Sequence, residues 1–377
     1  MTHHSHAIID LFCGTGGFAH GFVGYDDGLR LVYAVDIDES AAETAKANHG
    51  KSIVETKDIR KISPRTLRKQ LGVKEVDVII GGPPCQGFSS LRPNRSSSVE
   101  DERNSLFVNF ASFVDVFRPK VVVMENVVGL LTYNDGRTLD KLLTCFGSLG
   151  YNVDWRILNA ASYGVPQKRE RFVMIAGRDH ASIMFPQPTH HFTGKVVGYK
   201  DKNRFLLADA KHARALTVND AISDLPALSR RQQALRYDRP PENAYQRARR
   251  KGSTHLELHK AANHSDKMIE VIRHAGESIS CIPSHLVTSG FSSCYSRLDG
   301  DEPSTTITVK FQSPASSKCI HPTQDRTITP REAARIQSFD DSYIFKGPLT
   351  RIAAQLGNAV PPLLGRAIAR SVCQMLS

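Results

Sequence analysis

Cys85, Glu125, Arg169 and Arg171 are the residues in this chain whose types and spacing could make and break a covalent bond. Cys85 lies within Gly-Gly-Pro-Pro-Cys-Gln-Gly-Phe-Ser-Ser, residues 81–90, straight after an apolar run at 76–80 that reads as a buried strand. Pro83 and Pro84 fix φ and remove two backbone donors, so the turn is stiff and the thiol has an open face. Gly87 leaves room for a bulky group to approach the backbone. Glu125 follows the apolar run 121–124, and partial burial there suits a carboxyl that gives a proton to a substrate. Gln167, Arg169 and Arg171 alternate along an extended stretch, which puts them on one strand face. Two guanidinium groups there could meet an anionic or carbonyl-rich substrate. Plainer readings stand beside these: a lone cysteine at a tight turn is often inert packing, and Glu125 with Arg169 could be a structural ion pair.

A second set of residues suits a ligand. Gly14, Gly16 and Gly17 fall between the first strand signal and the first helix, where α/β sheets bind ligands beyond the carboxyl ends of their strands. The pattern is Gly-x-Gly-Gly, not the Gly-x-Gly-x-x-Gly of dinucleotide binders, and no Lys-Ser/Thr follows as in a phosphate loop. Asp36 ends the second strand and is placed to take both hydroxyls of a ribose. Asp58 and Ile59 end the third, where one could receive an adenine amino group and the other pack its ring. The set suits a nucleoside without phosphates, such as S-adenosylmethionine. A thiol, an acid and an arginine pair beside a methyl donor point to attack on an electrophilic ring. Cytosine fits, since C6 accepts a thiolate once N3 is protonated and C5 then becomes a carbon nucleophile.

The elements that must position these residues follow from the pattern. Strand and helix signals alternate through the first half, predicting an α/β fold with a parallel sheet. Strands are expected at 7–12, 31–35, 53–56, 76–80, 121–124, 151–160 and 171–176, with a core-facing helix at 104–117 set by Leu106, Phe110, Phe113 and Phe117. The alternation stops near Pro186, which marks a domain boundary. Strand-like signals return at 303–310, a helix begins at Thr329, and 353–369 reads as a loop feeding a final helix. At 377 residues the chain can bury one large core and a smaller second one. No apolar run approaches the roughly 18–20 residues that cross a bilayer, and the N-terminus lacks a signal-peptide pattern. Seven cysteines without a Cys-x-x-Cys pair suit reduced thiols in a cytoplasm, and argue against a disulfide framework or any metal site. The net charge is +11, and residues 195–251 hold 14 Lys/Arg against 6 Asp/Glu, which suggests a polyanionic partner such as nucleic acid.

Along most of its length the chain resembles the DNA (cytosine-5) methyltransferases of bacterial type, from restriction-modification systems or orphan relatives. Residues 10–18 (Asp-Leu-Phe-Cys-Gly-Thr-Gly-Gly-Phe) resemble the family's cofactor loop and Pro83-Pro84-Cys85-Gln86 its nucleophile motif. Glu125-Asn126-Val127 resembles its acid motif, and Gln167-x-Arg169-x-Arg171 its paired-arginine motif. Residues 326–339 resemble the helix that supports the recognition domain, and 355–362 (Gln-Leu-Gly-Asn-Ala-Val-Pro-Pro) the closing motif.

The resemblance implies a Rossmann-like S-adenosylmethionine-dependent methyltransferase sheet at 1–185 and a smaller, irregular target-recognition domain at 186–345. A segment at 346–377 would return to the catalytic domain. It implies that Phe12, Gly14, Gly16, Gly17, Phe18, Asp36, Ile37, Asp58, Ile59, Pro83, Asn358 and Ala359 hold S-adenosyl-L-methionine, with S-adenosyl-L-homocysteine as product. Cys85 would attack C6, Glu125 protonate N3, Arg171 hold O2, and Arg169 steady the loop or a phosphate. The target cytosine would be flipped out of double-stranded DNA, under a mobile loop at 89–101. Ser89, Gln167, Arg297, Thr308, Lys310 and Gln312 are the expected DNA contacts. Ile37 stands where many members carry an aromatic against the adenine, Cys13 reads as inert packing, and Asp340-Asp341 replaces a usual Pro-Asp without expected consequence. The expected setting is a bacterial cytoplasm at the nucleoid, as a monomer, with a cognate restriction endonuclease as functional partner. The rivals are a tRNA cytosine-5 methyltransferase, whose branch carries a Cys-Phe-Thr insertion not found here, and an inactive DNA-binding paralogue. The latter would be expected to have lost Cys85, Glu125 or the glycine loop.

Overall fold

The structure of the protein, a computed structural model, describes residues 5–26, 28–84, 105–179, 181–193, 199–287 and 290–377. Five strands pair in parallel: β1 (His6–Leu11), β2 (Leu29–Asp36), β3 (Ile53–Thr56), β4 (Val78–Gly81) and β5 (Val121–Val127). Parallel neighbours need a crossover, and each is supplied by a helix: α1 (Gly17–Val23), α2 (Glu39–Asn48), α3 (Pro64–Leu71) and α4 (Ser105–Phe117). The central strands read as unbroken apolar runs because both sheet faces are covered. On one face α4 and α5 (Arg137–Ser148) bury Phe110, Phe113 and Phe146. On the other, α1 and α11 (Pro362–Leu376) bury Phe22, Leu364 and Ile368.

The sheet departs from an all-parallel one. β6 (Tyr151–Asn159) and β7 (Glu170–Arg178) are joined by residues 160–169, too few for a helical crossover. β7 therefore turns back and runs antiparallel between β5 and β6. With β9 (Phe205–Leu206) at the edge, the order is β3-β2-β1-β4-β5-β7-β6-β9. Two residues of β8 (His190–His191) pair separately with β10 (Ala213–Arg214).

Beyond this sheet the chain is held by short helices and buried charge. α6 (Val218–Ile222), α7 (Ala244–Arg250), α9 (Pro330–Ile336) and α10 (Leu349–Asn358) share a third core around Leu225, Tyr245, Phe311 and Phe339, with α8 (Asp266–Arg273) beside a small cluster at Ile272 and Ile320. Capping boxes at Thr217/Asp220 and Thr329/Glu332 start α6 and α9. Arg335 is fully buried between Asp341 at 2.6 Å and Asp224 at 3.0 Å, and Arg326 meets Glu332 at 2.6 Å. Asp340-Asp341 is therefore not incidental: Asp341 also faces Arg331 at 3.7 Å, and Asp340 bridges Arg249 and His20.

Two expected elements differ. Residues 303–310 form no strand, only an isolated bridge from Ser304 to Gln167 followed by turns, because that segment commits its backbone groups to residues 166–169. Residues 353–369 are mostly helix: α10 runs to Asn358, and Pro361-Pro362 restarts the chain as α11. No helix among the described residues is long and apolar enough to cross a membrane.

Candidate active site

The sheet's carboxyl edge brings Glu125 and Arg171 together. Glu125 pairs in register with Val173 and Arg171 with Val127, so Glu125 and Arg171 are diagonal neighbours on one face of the β5–β7 ladder. Their side chains meet, Arg171 Nε to Glu125 Oε1 at 2.7 Å, both largely buried. The ion pair expected as the plain alternative thus forms with Arg171 and not with Arg169. Glu125 also faces the chain leading to the cysteine: a Cβ at Gly82 would sit 3.1 Å from Glu125 Oε2, and Asn126 Nδ2 donates to Pro83 O at 2.9 Å. Cys85 and Ser89, with the loop at 89–101, lie outside the described residues.

Arg169 has another role in the structure. It is fully buried, with Nη2 donating to Gly357 O at 2.9 Å and Nη1 to Ile307 O at 3.3 Å. Burial, then the neighbouring Arg171, pushes its guanidinium well below the ordinary arginine range, against the pull of Glu125. Gln167, expected at the DNA, is likewise fully buried: its Oε1 accepts from Ile307 N at 2.9 Å, while its Nε2 has no hydrogen-bond partner among the described residues. Lys168 N donates to Ser304 O at 2.7 Å and Ser304 N to Pro166 O at 2.9 Å, completing a zipper between residues 166–169 and 304–307. Gly357 must be glycine here, since a Cβ would run into the Val309 backbone. The paired-arginine stretch is thus a junction of three segments, with Arg171 alone facing Glu125.

Arg297 is also fully engaged. Its Nε donates to Ala275 O, Nη1 to His321 O and Gln324 O, and Nη2 to Ile272 O and Asp325 Oδ1, which uses all five of its N–H groups. As placed it has no donor left for a base edge. Lys310 is exposed, and Gln312 and Thr308 are half-buried.

The glycine loop makes an open cradle. Phe12 and Gly14 both adopt positive φ, 61° and 51°, and a Cβ at Gly14 would meet nothing within 4 Å. A bulky residue such as Phe12 carries conformational strain in that region, which holds the loop turned outward. Asp36 Oδ2 accepts from Gly14 N at 2.8 Å and Oδ1 from Asp38 N at 2.9 Å. Burial raises the Asp36 carboxyl above the usual range, and these two bonds oppose it. Ile37 is 67% exposed beside it, an apolar ledge. Asp58 caps the turn at Ile59 and holds Arg60, whose hydrogen bonds lower its carboxyl, while Ile59 is buried in the core. Phe18 is buried against Phe22, Asn358 is exposed at the end of α10, and Ala359 is buried. Burial, then Asp10, pushes the Cys13 thiol well up, so it stays neutral.

Sequence reasoning missed several partners of this loop. Asp10 Oδ2 and Thr15 Oγ1 are buried without a hydrogen-bond partner among the described residues, and burial raises the Asp10 carboxyl well above its usual range. Tyr343 donates to Thr15 O at 2.5 Å from the far end of the chain, and His49 Nε2 lies 3.1 Å from Gly16 O. Gln355 ties α10 to α2 through Thr44 at 2.8 Å and Ser40 at 3.1 Å. No local pattern announces contacts between residues so far apart. Open space at Gly14, the exposed Ile37 ledge and orphaned polar atoms beneath them fit a nucleoside carrying polar groups. A cavity of about 630 Å³ lined by Tyr25, Tyr163, Phe185, Arg366 and Arg370 shares none of these residues, so the largely apolar space under α11 is a separate feature.

Comparison with known proteins decides the family. The family described as C-5 cytosine-specific DNA methylase matches residues 6–374. This chain belongs to it. Type II methyltransferase M.AgeI of Thalassovita gelatinovora is 36% identical, with 97% of this chain and 98% of that protein covered. Type II methyltransferase M1.HphI of Haemophilus parahaemolyticus is 35% identical over 97% of this chain and 86% of its own length. A solved structure described as a DNA modification methyltransferase encoded within an E. coli prophage superposes with a TM-score of 0.76 at 23% identity, covering 99% of both chains. A Spodoptera frugiperda DNMT2 variant gives 0.62 at 16%, covering 98% of this chain and all of that one. Both likenesses speak for the fold. The protein is a DNA (cytosine-5) methyltransferase, a family that moves a methyl group from S-adenosylmethionine to C5 of cytosine.

Proposed function

We propose that this methyltransferase modifies one cytosine within a short double-stranded DNA sequence, flipped from the duplex and held between Cys85, Glu125 and Arg171. The observation that carries the reading is the Arg171–Glu125 contact at 2.7 Å beside the Gly82-Pro83 approach to Cys85. In this reading Cys85 adds through sulfur to C6 while Glu125 supplies a proton to N3, and Arg171 holds both the carboxylate and the O2 edge. Electron density released from the C5–C6 bond then makes C5 the nucleophile. S-adenosyl-L-methionine, when bound, supplies an electrophilic methyl group. Loss of the C5 proton to water, return of the N3 proton to Glu125 and departure of the Cys85 thiolate from C6 restore the ring and the enzyme. The cofactor would lie on Gly14 and Ile37, with Asp36 toward the ribose, Asp58 toward the adenine edge, and Asn358 closing the far side.

Residues 186–345 act as the target-recognition domain, 1–185 as the catalytic one, and 346–377 as the return segment. The named relatives are type II enzymes, which supports a cognate restriction endonuclease as functional partner; a monomer is the working state. The test is bisulfite sequencing of genomic DNA from a methylation-deficient bacterial host expressing the chain, beside Cys85→Ser. One short motif protected by the wild type only is the expected result, with DNA and cofactor binding retained by the variant. Methylation by Cys85→Ser at the wild-type level would rule out the covalent route. No protected motif from soluble protein would turn the reading to tRNA.

A further inference from the structure

We propose that Phe291 is a specificity residue, an exposed aromatic ring on a hydrogen-bonded turn that makes an apolar contact with bases of the target duplex. The inference rests on duplex DNA being the substrate. Phe291 is 82% exposed, more than any other large hydrophobic side chain among the described residues. Its mounting is not slack. Phe291 O accepts from Cys294 N at 2.9 Å, and Ser292 O from Ile279 N at 3.1 Å. Gly290 packs so close to Ile279 that a Cβ would come within 2.8 Å of its Cδ1. Cys294, buried, donates Sγ to Ala315 O at 3.0 Å, and Tyr295 N donates to Pro314 O at 2.7 Å. The Phe291 turn is thereby stapled beside residues 313–316, which directly follow the turn carrying exposed Lys310. That turn starts at Thr308 and Val309, which rest on Gly357 next to Asn358. A ring presented in this way, flanked by exposed Ser292 and Ser293, is tied through residues 308–316 to the Gly357–Asn358 end of α10.

The ring's chemistry narrows what it meets. It offers neither hydrogen-bond donor nor charge, so a phosphate gains nothing from it, while a thymine methyl in the groove does. Losing the burial of a phenylalanine side chain weakens binding by about ten- to a hundred-fold. With labelled S-adenosylmethionine and unmethylated genomic DNA from a methylation-deficient host, Phe291→Ala should raise KM for DNA within that range. KM for the cofactor should stay within about two-fold, and the dependence of DNA binding on salt should keep its slope, because phosphate contacts are untouched. Phe291→Trp gives a direct readout, since the sole tryptophan, Trp155, is buried: its emission should shift when the same DNA is added. An unchanged DNA KM for Phe291→Ala overturns the inference, as does emission that responds to protein concentration and not to DNA. Wild-type protein that methylates no duplex DNA would overturn the substrate reading, and this inference with it.

Discussion

Replacing Arg169 by methionine separates a junction from a phosphate contact. The guanidinium donates to Gly357 O and Ile307 O from a fully buried position. A hydrogen bond from a charged donor contributes about 1.5–3 kcal/mol. Methionine fills similar space but leaves both carbonyls without a donor, while the cost of burying the charge disappears with it. The net loss should be about 2–4 kcal/mol, read as a lower urea midpoint at constant m-value. The two carbonyls belong to different segments, so the effect reaches beyond stability. Gly357 precedes Asn358, and Ile307 precedes Thr308 and Lys310, so KM should rise for cofactor and DNA together. Arg169→Lys keeps the charge but cannot span both carbonyls with a planar fork, and should fall between the two. A phosphate-binding Arg169 would behave otherwise: the methionine variant would unfold at the wild-type urea concentration and lower the salt slope of DNA binding by about one. That pattern would refute the junction.

Asp341→Asn removes the partner that Arg335 holds at 2.6 Å, leaving a buried guanidinium half paired, and should cost about 3–5 kcal/mol, seen as a fall in thermal midpoint with the sheet's signal last to melt. Acid should weaken the fold through two histidines. Burial pulls both His49 and His321 down to about 4. The folded state thus favours their neutral forms, so their contribution is complete above about pH 6.5 and is lost as pH falls toward 4, by about 2 kcal/mol each at pH 5. Thermal denaturation at pH 7.5 and pH 5 should show His49→Gln losing less stability across that interval than the wild type; an equal loss would place the sensitivity elsewhere.

Much of the sheet was legible because buried parallel strands announce themselves. Val78 to Gly81 and Val121 to Met124 are apolar on both faces and end in residues that cannot be core filler, Gly82 and Glu125. Alternation put Gln167, Arg169 and Arg171 on one face, but not which arginine would meet Glu125. That depends on the register Glu125–Val173, which exists only because β7 runs antiparallel. The chain beyond Pro186 was less legible for a physical reason. An arginine in a sequence looks the same whether it faces DNA or, like Arg297, donates to carbonyls more than 20 residues away. Tyr343 and Thr15, 328 residues apart, carry no sign of each other.

The basic stretch makes the same point about charge. Counted along the chain, residues 195–251 hold a large excess of Lys and Arg. In space, Arg204 meets Asp154, Arg230 meets Asp266 and Arg249 meets Asp340, all carboxylates from outside the stretch. Arg250 pairs with Asp224 and lies over Tyr237 at 3.6 Å. The part of the excess left to attract a polyanion is therefore concentrated on exposed side chains such as Arg236, Arg247 and Lys251, for which the described residues supply no partner. The basic count thus divides into charge that folds this part of the chain and charge free to meet phosphate. Only the second part releases counterions on binding, so the salt slope should reflect those few side chains together with Lys310, and not the formal excess.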